Sequence, residues 1–120
     1  MKKGLISIII RTKNEEKWIG SCLNAVFSQD YKNFEIIIVD DNSTDKTVEK
    51  IKDYNLKLVK SNDEYRPGKL LNRGIRASRG EFIVCLSGHC MPVNNKWLST
   101  LIRNFDDPSV AGVYGRQEPM

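Results

Sequence analysis

The sequence contains no apolar run long enough to cross a bilayer, and Met1-Lys2-Lys3-Gly4 opens into a strand-sized run without the apolar core of a signal peptide. A cytoplasmic location follows from that reading. Cysteine is sparse and odd in number: Cys22, Cys85 and Cys90 lack paired spacing, which argues for reduced thiols rather than a disulfide framework. Cys22 and Cys85 read as small core fillers. No aromatic ladder interleaves the basic residues, so nucleic acid is a poor partner. No Gly-x-Gly-x-x-Gly follows the first apolar strand, which argues against a dinucleotide-binding module. Histidine is rarest, with His89 alone in the chain.

What is present suits one domain spanning 1–120. Hydrophobic residues make up 40% and charged residues 28%, as in ordinary soluble folds, and 120 residues bury one core but not two. The net charge of +4 suits a small phosphate-bearing ligand. Its one basic cluster, Arg66, Lys69, Arg73, Arg76 and Arg79, is also explained as a solvated helix face.

Strand and helix patterns alternate. Leu5 to Ile10 reads as a strand, and Asn14 as the N-cap of a helix with Glu15 and Glu16 in its first turn. That helix buries a stripe of Trp18/Ile19, Cys22/Leu23 and Val26/Phe27 and ends near Ser28. Phe34 to Val39 is the central strand, followed by a helix from Thr44 to Tyr54 that buries Val48 and Ile51. Leu56 to Lys60 is a short, partly polar strand suited to a sheet edge. Beyond the polar loop Ser61 to Gly68, a helix from Lys69 to Ser78 places Leu70, Leu71, Ile75 and Ala77 on its buried side. Glu81 to Leu86 is a fourth strand, Asn94 or Asn95 caps a helix reaching Phe105, and Val110 to Tyr114 reads as a last strand. Such alternation predicts an α/β fold with a mostly parallel open sheet and helices on both faces.

Within this plan, Ile36-Ile37-Ile38-Val39 runs directly into Asp40-Asp41-Asn42-Ser43-Thr44-Asp45. Ligands of open parallel sheets settle beyond the carboxyl ends of strands, which makes these acids candidate binding residues. The competing reading is that they cap the next helix. Capping needs one side chain, and several are crowded here. Two further strand ends carry polar clusters, Arg11 to Glu15 and Ser87 to His89.

Ile6 to Ile10 before Asn14-Glu15, then Ile38-Val39-Asp40-Asp41-Asn42-Ser43-Thr44-Asp45, then Gly68-Lys69, Asn72-Arg73-Gly74-Ile75 and Ala77-Ser78-Arg79-Gly80-Glu81-Phe82-Ile83 together resemble the family 2 glycosyltransferases of the GT-A (Rossmann-like) fold. The similarity runs from about Leu5 to Tyr114. It implies an enzyme half that binds a UDP- or GDP-sugar for transfer of the sugar to an acceptor hydroxyl. By position, the resemblance makes the Arg11 to Glu15 turn, Asn14 included, the frame of the nucleoside, with Thr12 and Glu15 as its contacts, and Asp41 the acceptor for a base N–H, with Asp40 an alternative. A carboxylate accepts and a uracil ring N–H donates, so the pairing is chemically apt. Arg66 and Lys69 fall where the family places cations near ribose and phosphates, although a solvated loop accounts for them equally.

The departure lies at the fourth strand end, where Ser87-Gly88-His89 replaces the family's Asp-x-Asp. Mg²⁺ loses both carboxylates there, while His89 can ligate Mn²⁺ through one nitrogen or face the diphosphate as a cation. The resemblance further implies inverting displacement, with a carboxylate base in an acceptor-binding half expected beyond Met120 or on another chain. Residues 1–120 alone are then an inactive donor-binding portion; the alternative is a non-catalytic nucleotide-sugar-binding or regulatory module. Acceptors open to the family are glycan, lipid and protein, the last two consistent with work at the inner membrane surface. The face where the other half would pack is a candidate for self-association.

Overall fold

The chain alternates β1 (Ile6–Thr12), α1 (Ile19–Phe27), β2 (Phe34–Asp41), α2 (Thr47–Ile51), β3 (Lys57–Ser61), α3 (Pro67–Ala77), β4 (Phe82–Ser87) and α4 (Trp97–Arg103), closing on a 3₁₀ turn at Asn104–Asp106. The computed structural model describes residues 4–61, 67–113 and 115. Its strands form one all-parallel sheet in the order β3-β2-β1-β4, so the two isoleucine-rich strands lie at the centre and β3 at an edge. This is the α/β architecture expected.

Alternation along the central strands divides the core into two layers. Ile6, Ile8 and Ile10 of β1 and Ile36 and Ile38 of β2 face Ile19, Cys22, Leu23 and Val26 of α1, Ile51 of α2, and Leu98 and Ile102 of α4. On the opposite face Ile9, Ile37 and Val39 pack under Leu70 of α3. Each fully buried isoleucine contributes about 1.5–3 kcal/mol, which is why the central strands tolerate no polar residue in mid-run except Ser7. Burial pushes the Cys22 thiol up to about 12, with smaller contributions from Cys90 and Glu15, so it is an inert core filler as expected.

Ser7 is buried because it is used. Its hydroxyl donates to Glu35 Oε2 (2.5 Å) and accepts from the Gly80 amide (2.8 Å), while the Arg79 amide donates to the same carboxylate oxygen (2.7 Å). This latch ties the end of α3 to the amino ends of β1 and β2.

Several expectations fail for local reasons. Asn14 does not cap α1; it sits at φ 53, in the left-handed region that asparagine tolerates, and its side chain serves a neighbouring loop, so α1 starts only at Ile19. The helix expected from Thr44 to Tyr54 shrinks to Thr47–Ile51, because Ser43, Thr44 and Asp45 are engaged in loop bonds. Neither Asn94 nor Asn95 caps α4, whose Leu98 amide instead donates to the buried Gln29 side chain. Val110 to Val113 form no strand, and the Gly112 position faces open space with nothing to pack on; Tyr114 lies outside the described residues. Ile75 and Cys85 are exposed rather than buried: α3 turns Gly74 onto Ile9 and Val39, and leaves the outer face of β4 uncovered.

Candidate functional site

Register brings the four strand ends to one rim. Thr12 pairs with Asp40 across β1 and β2, Arg11 pairs with Ser87 across β1 and β4, and Asp41 pairs with Ser61 of β3. Gly88 makes the β1–β4 side possible. Its amide donates to the Arg11 carbonyl (3.0 Å), and a Cβ there would meet Thr12 Cγ2 at 2.9 Å and Glu15 Cγ at 3.2 Å. The glycine between Ser87 and His89 therefore lets the end of β4 lie against the end of β1.

The adjacent acids have different surroundings. Asp40 is 1% exposed and accepts the hydroxyls of Thr12 (2.6 Å) and Ser43 (2.6 Å) and the Ser43 amide (2.9 Å). It shapes the turn after β2, in the manner of a cap for a loop. Asp41, 2% exposed, has Lys13 Nζ at 3.3 Å.

The loops after β1 and β2 are laced together. Asn14 Oδ1 accepts the amides of Thr44 (2.8 Å) and Asp45 (3.3 Å), and the amides of Asn14, Glu15 and Glu16 donate to Ser43 Oγ, Thr47 Oγ1 and Asp45 Oδ2. Burial pushes the Asp45 carboxyl upward, but hydrogen bonds from Thr47 and from the Glu16 amide outweigh it and hold its pKa below the usual value.

Beside this lacing lies a cleft of about 340 Å³ lined by Arg11, Thr12, Lys13, Glu15, Leu70, Ser87 and His89. In it His89 Nδ1 stands 3.0 Å from Glu15 Oε1 and 3.1 Å from Ser87 Oγ. The side chain of His89 is 51% exposed and that of Glu15 16%. A larger depression of about 430 Å³, lined by Asn24, Phe27, Tyr54 and neighbours, lies at the amino-terminal end of the sheet and is shallow.

Of the residues singled out from sequence, Thr12, Glu15, Ser87 and His89 meet in the cleft, while Asp40 and Asp41 lie beneath and beside Thr12 and Lys13. Asn14 is turned to the Thr44 loop. Lys69 is exposed in the first turn of α3 and does not line the cleft, and Arg66 lies outside the described residues. Arg11 and Lys13 read from sequence only as members of the Arg11 to Glu15 turn, and Leu70 only as a buried position of a helix. Period-two alternation from buried Ile9 would have placed Arg11 and Lys13 on the α3 side of the rim.

The donor chemistry of the cleft does not suit a divalent metal held by protein. Among the described residues no three His, Cys, Asp or Glu side chains converge on one point, and Glu15, the one carboxylate lining the cleft, already holds His89.

A four-stranded all-parallel sheet with helices on both faces and a cleft at its carboxyl rim is the α/β architecture of the GT-A fold. The profile of glycosyl transferase family 2 matches residues 7–118, and the chain belongs to that family. Over 123 aligned positions it is 37% identical to the Methanococcus voltae dolichyl N-acetyl-alpha-D-glucosaminyl phosphate 3-beta-D-2,3-diacetamido-2,3-dideoxy-beta-D-glucuronosyltransferase, covering 92% of this chain and 38% of that protein. The mannosyltransferase PcManGT of Pyrobaculum calidifontis, in complex with GDP-Man and Mn²⁺, superposes with a TM-score of 0.85 at 25% identity, over 92% of this chain and 34% of that one. TarS of S. aureus in complex with UDP-GlcNAc does so with a TM-score of 0.75 at 32% identity, over 96% and 37%. The chain thus spans less than two-fifths of the length of each. No helix among the described residues is long and apolar enough to cross a membrane.

Proposed function

We propose that this chain is the donor-binding portion of an inverting glycosyltransferase that takes its sugar from a UDP- or GDP-sugar. The observation that carries this reading is the meeting of the β1 and β4 ends in one cleft whose lining includes Arg11 and Lys13, a setting suited to a diphosphate. The complexes of TarS with UDP-GlcNAc and of PcManGT with GDP-Man support it.

In this reading Thr12 and the laced loops frame the nucleoside, Lys13 swings from Asp41 toward phosphate, and Asp41 accepts the base N–H. Asp40 is committed to the turn and acts by position. The family resemblance assigns Arg66 and Lys69 to the ribose and phosphates, and Lys69 lies in the first turn of α3. Among the described residues, the carboxylates at the ends of β1 and β2 are engaged, Glu15 by His89, Asp40 by Thr12 and Ser43, and Asp41 by Lys13. We therefore place the general base and the acceptor site in length that the relatives possess beyond this match. Ile75 and Ile83, 39% and 40% exposed on the outer face of α3 and β4, suit packing of that length or of a second copy. A relative named for a dolichyl-linked sugar phosphate supports a lipid-linked acceptor, and with it work at the inner face of a membrane.

Calorimetric titration with UDP, GDP and their sugars tests the reading. Binding is expected, weakened roughly 10-fold or more by Asp41→Asn, since a hydrogen bond to a charged group contributes about 1.5–3 kcal/mol. No binding of any nucleotide would overturn it.

A further inference from the structure

The geometry of the cleft points to a cation made from protein at the place where the family resemblance leads one to expect a metal: His89, held by Glu15, binds the donor diphosphate directly, and donor binding proceeds without a divalent ion. The inference rests on the donor-binding reading above and adds to it the means by which the phosphates are held.

Both neighbours of the imidazole lie on the same nitrogen. Glu15 Oε1 and Ser87 Oγ stand 3.0 and 3.1 Å from Nδ1, whereas Nε2 has no hydrogen bond among the described residues. A carboxylate accepts only, so Nδ1 carries hydrogen in the contact with Glu15. The serine hydroxyl, able to rotate, completes the set as a second acceptor. The imidazole is thus anchored by one edge, while its half-exposed ring lines the cleft.

The anchor is itself fixed. The Glu15 amide donates to Thr47 Oγ1 at 2.8 Å, and Gly88 lies close against the Glu15 side chain. Glu15 therefore orients His89 from a rigid rim, and we assign it as a positioning residue rather than a contact to the nucleoside.

Charge leads to the same ligand. The cleft lining holds Arg11, Lys13 and His89 with Glu15 as its one lining carboxylate, which faces the histidine, while Asp41 lies beside Lys13. A divalent cation entering here would meet positive neighbours and would have to displace His89 from Glu15. A diphosphate meets donors. An imidazole bridging two anions, Glu15 on one side and phosphate on the other, needs hydrogen on both nitrogens, and a ring so protonated supplies the positive charge that a metal otherwise brings.

The test combines calorimetry of UDP and GDP, in EDTA and in Mn²⁺, with nitrogen-15 spectra of the ring, in which a single histidine gives a single imidazole. Expected are affinities within about twofold in EDTA and Mn²⁺, and a loss of roughly 10-fold or more in His89→Ala, the size of one charge-assisted hydrogen bond. Glu15→Gln is expected to weaken binding several-fold and to move the Nδ1 proton upfield, and UDP to move Nε2 with both nitrogens bearing hydrogen. Binding that appears only with Mn²⁺, or an unchanged affinity in His89→Ala, overturns this inference and leaves the donor-binding reading standing. Absence of nucleotide binding in both conditions overturns both.

Discussion

Replacing Gln29 with leucine tests whether the carboxyl end of α1 anchors the connection that carries Ser87 and His89. Gln29 is fully buried, and its amide group makes three hydrogen bonds: Nε2 donates to Asn94 O (2.7 Å) and Ala25 O (3.1 Å), and Oε1 accepts the Leu98 amide (3.0 Å). Ala25 O keeps a partner in the Ser28 hydroxyl, so leucine orphans two backbone groups, Asn94 O and Leu98 N. Each buried orphan costs about 1–3 kcal/mol, and the greater hydrophobicity of leucine returns roughly 1 kcal/mol. The net loss is then near 3 kcal/mol, and at a urea slope of about 1.5 kcal/mol per M it lowers the unfolding midpoint by roughly 2 M with unchanged slope. Amide exchange should rise most at Leu98, in the first turn of α4. A loss under about 1 kcal/mol, or exchange that stays slow at Leu98, would refute the argument by showing that water replaces the glutamine.

Two other perturbations follow from the packing and the charges. Gly74→Ala places a methyl group against Ile9 Cγ2 and 2.9 Å from Val39 Cγ2, so thermal unfolding should show a loss of about 1–3 kcal/mol as α3 is pushed from the sheet. For Glu35, burial raises the pKa, but hydrogen bonds from Ser7 and the Arg79 amide outweigh it and hold the folded value below the ordinary 4.5. A depressed folded pKa contributes stability above 4.5 that is lost as pH falls through the folded value, so Glu35→Gln should be less stable than the parent at pH 7 and the gap should close below pH 4.5 in urea titrations. A gap that persists undiminished in acid would remove the charge from the explanation.

The fold was legible where burial is uniform. Ile8 to Ile10 and Ile36 to Val39 admit no reading but strands covered on both faces, and the intervening helical stripes oblige parallel crossovers. Helix ends were not legible, because the same Asn, Ser, Thr and Asp side chains that cap helices here bridge two loops. Nothing in the local sequence tells Asn14 whether to serve its own helix or Thr44, since that choice depends on the parallel register of β1 and β2. Burial on β4 was misjudged for a similar reason. Cys85 alternates correctly with its neighbours, but α3 covers the central strands and leaves that edge open. The meeting of Glu15 with His89 depends on β1 and β4 lying side by side, which sequence order, placing them 74 residues apart, conceals.

The lacing of the loops after β1 and β2 bears on how this chain can be recombined with its relatives. Thr12, Asn14, Glu15 and Glu16 on one side meet Asp40, Ser43, Thr44, Asp45 and Thr47 on the other. A chimera that imports one loop from a relative to alter nucleotide preference would sever most of these links at once, whereas one that imports both would carry its own matched seam. The unit of exchange is therefore a pair of segments about 30 residues apart in the chain, and designs that treat either as an independent cassette should yield poorly folded protein.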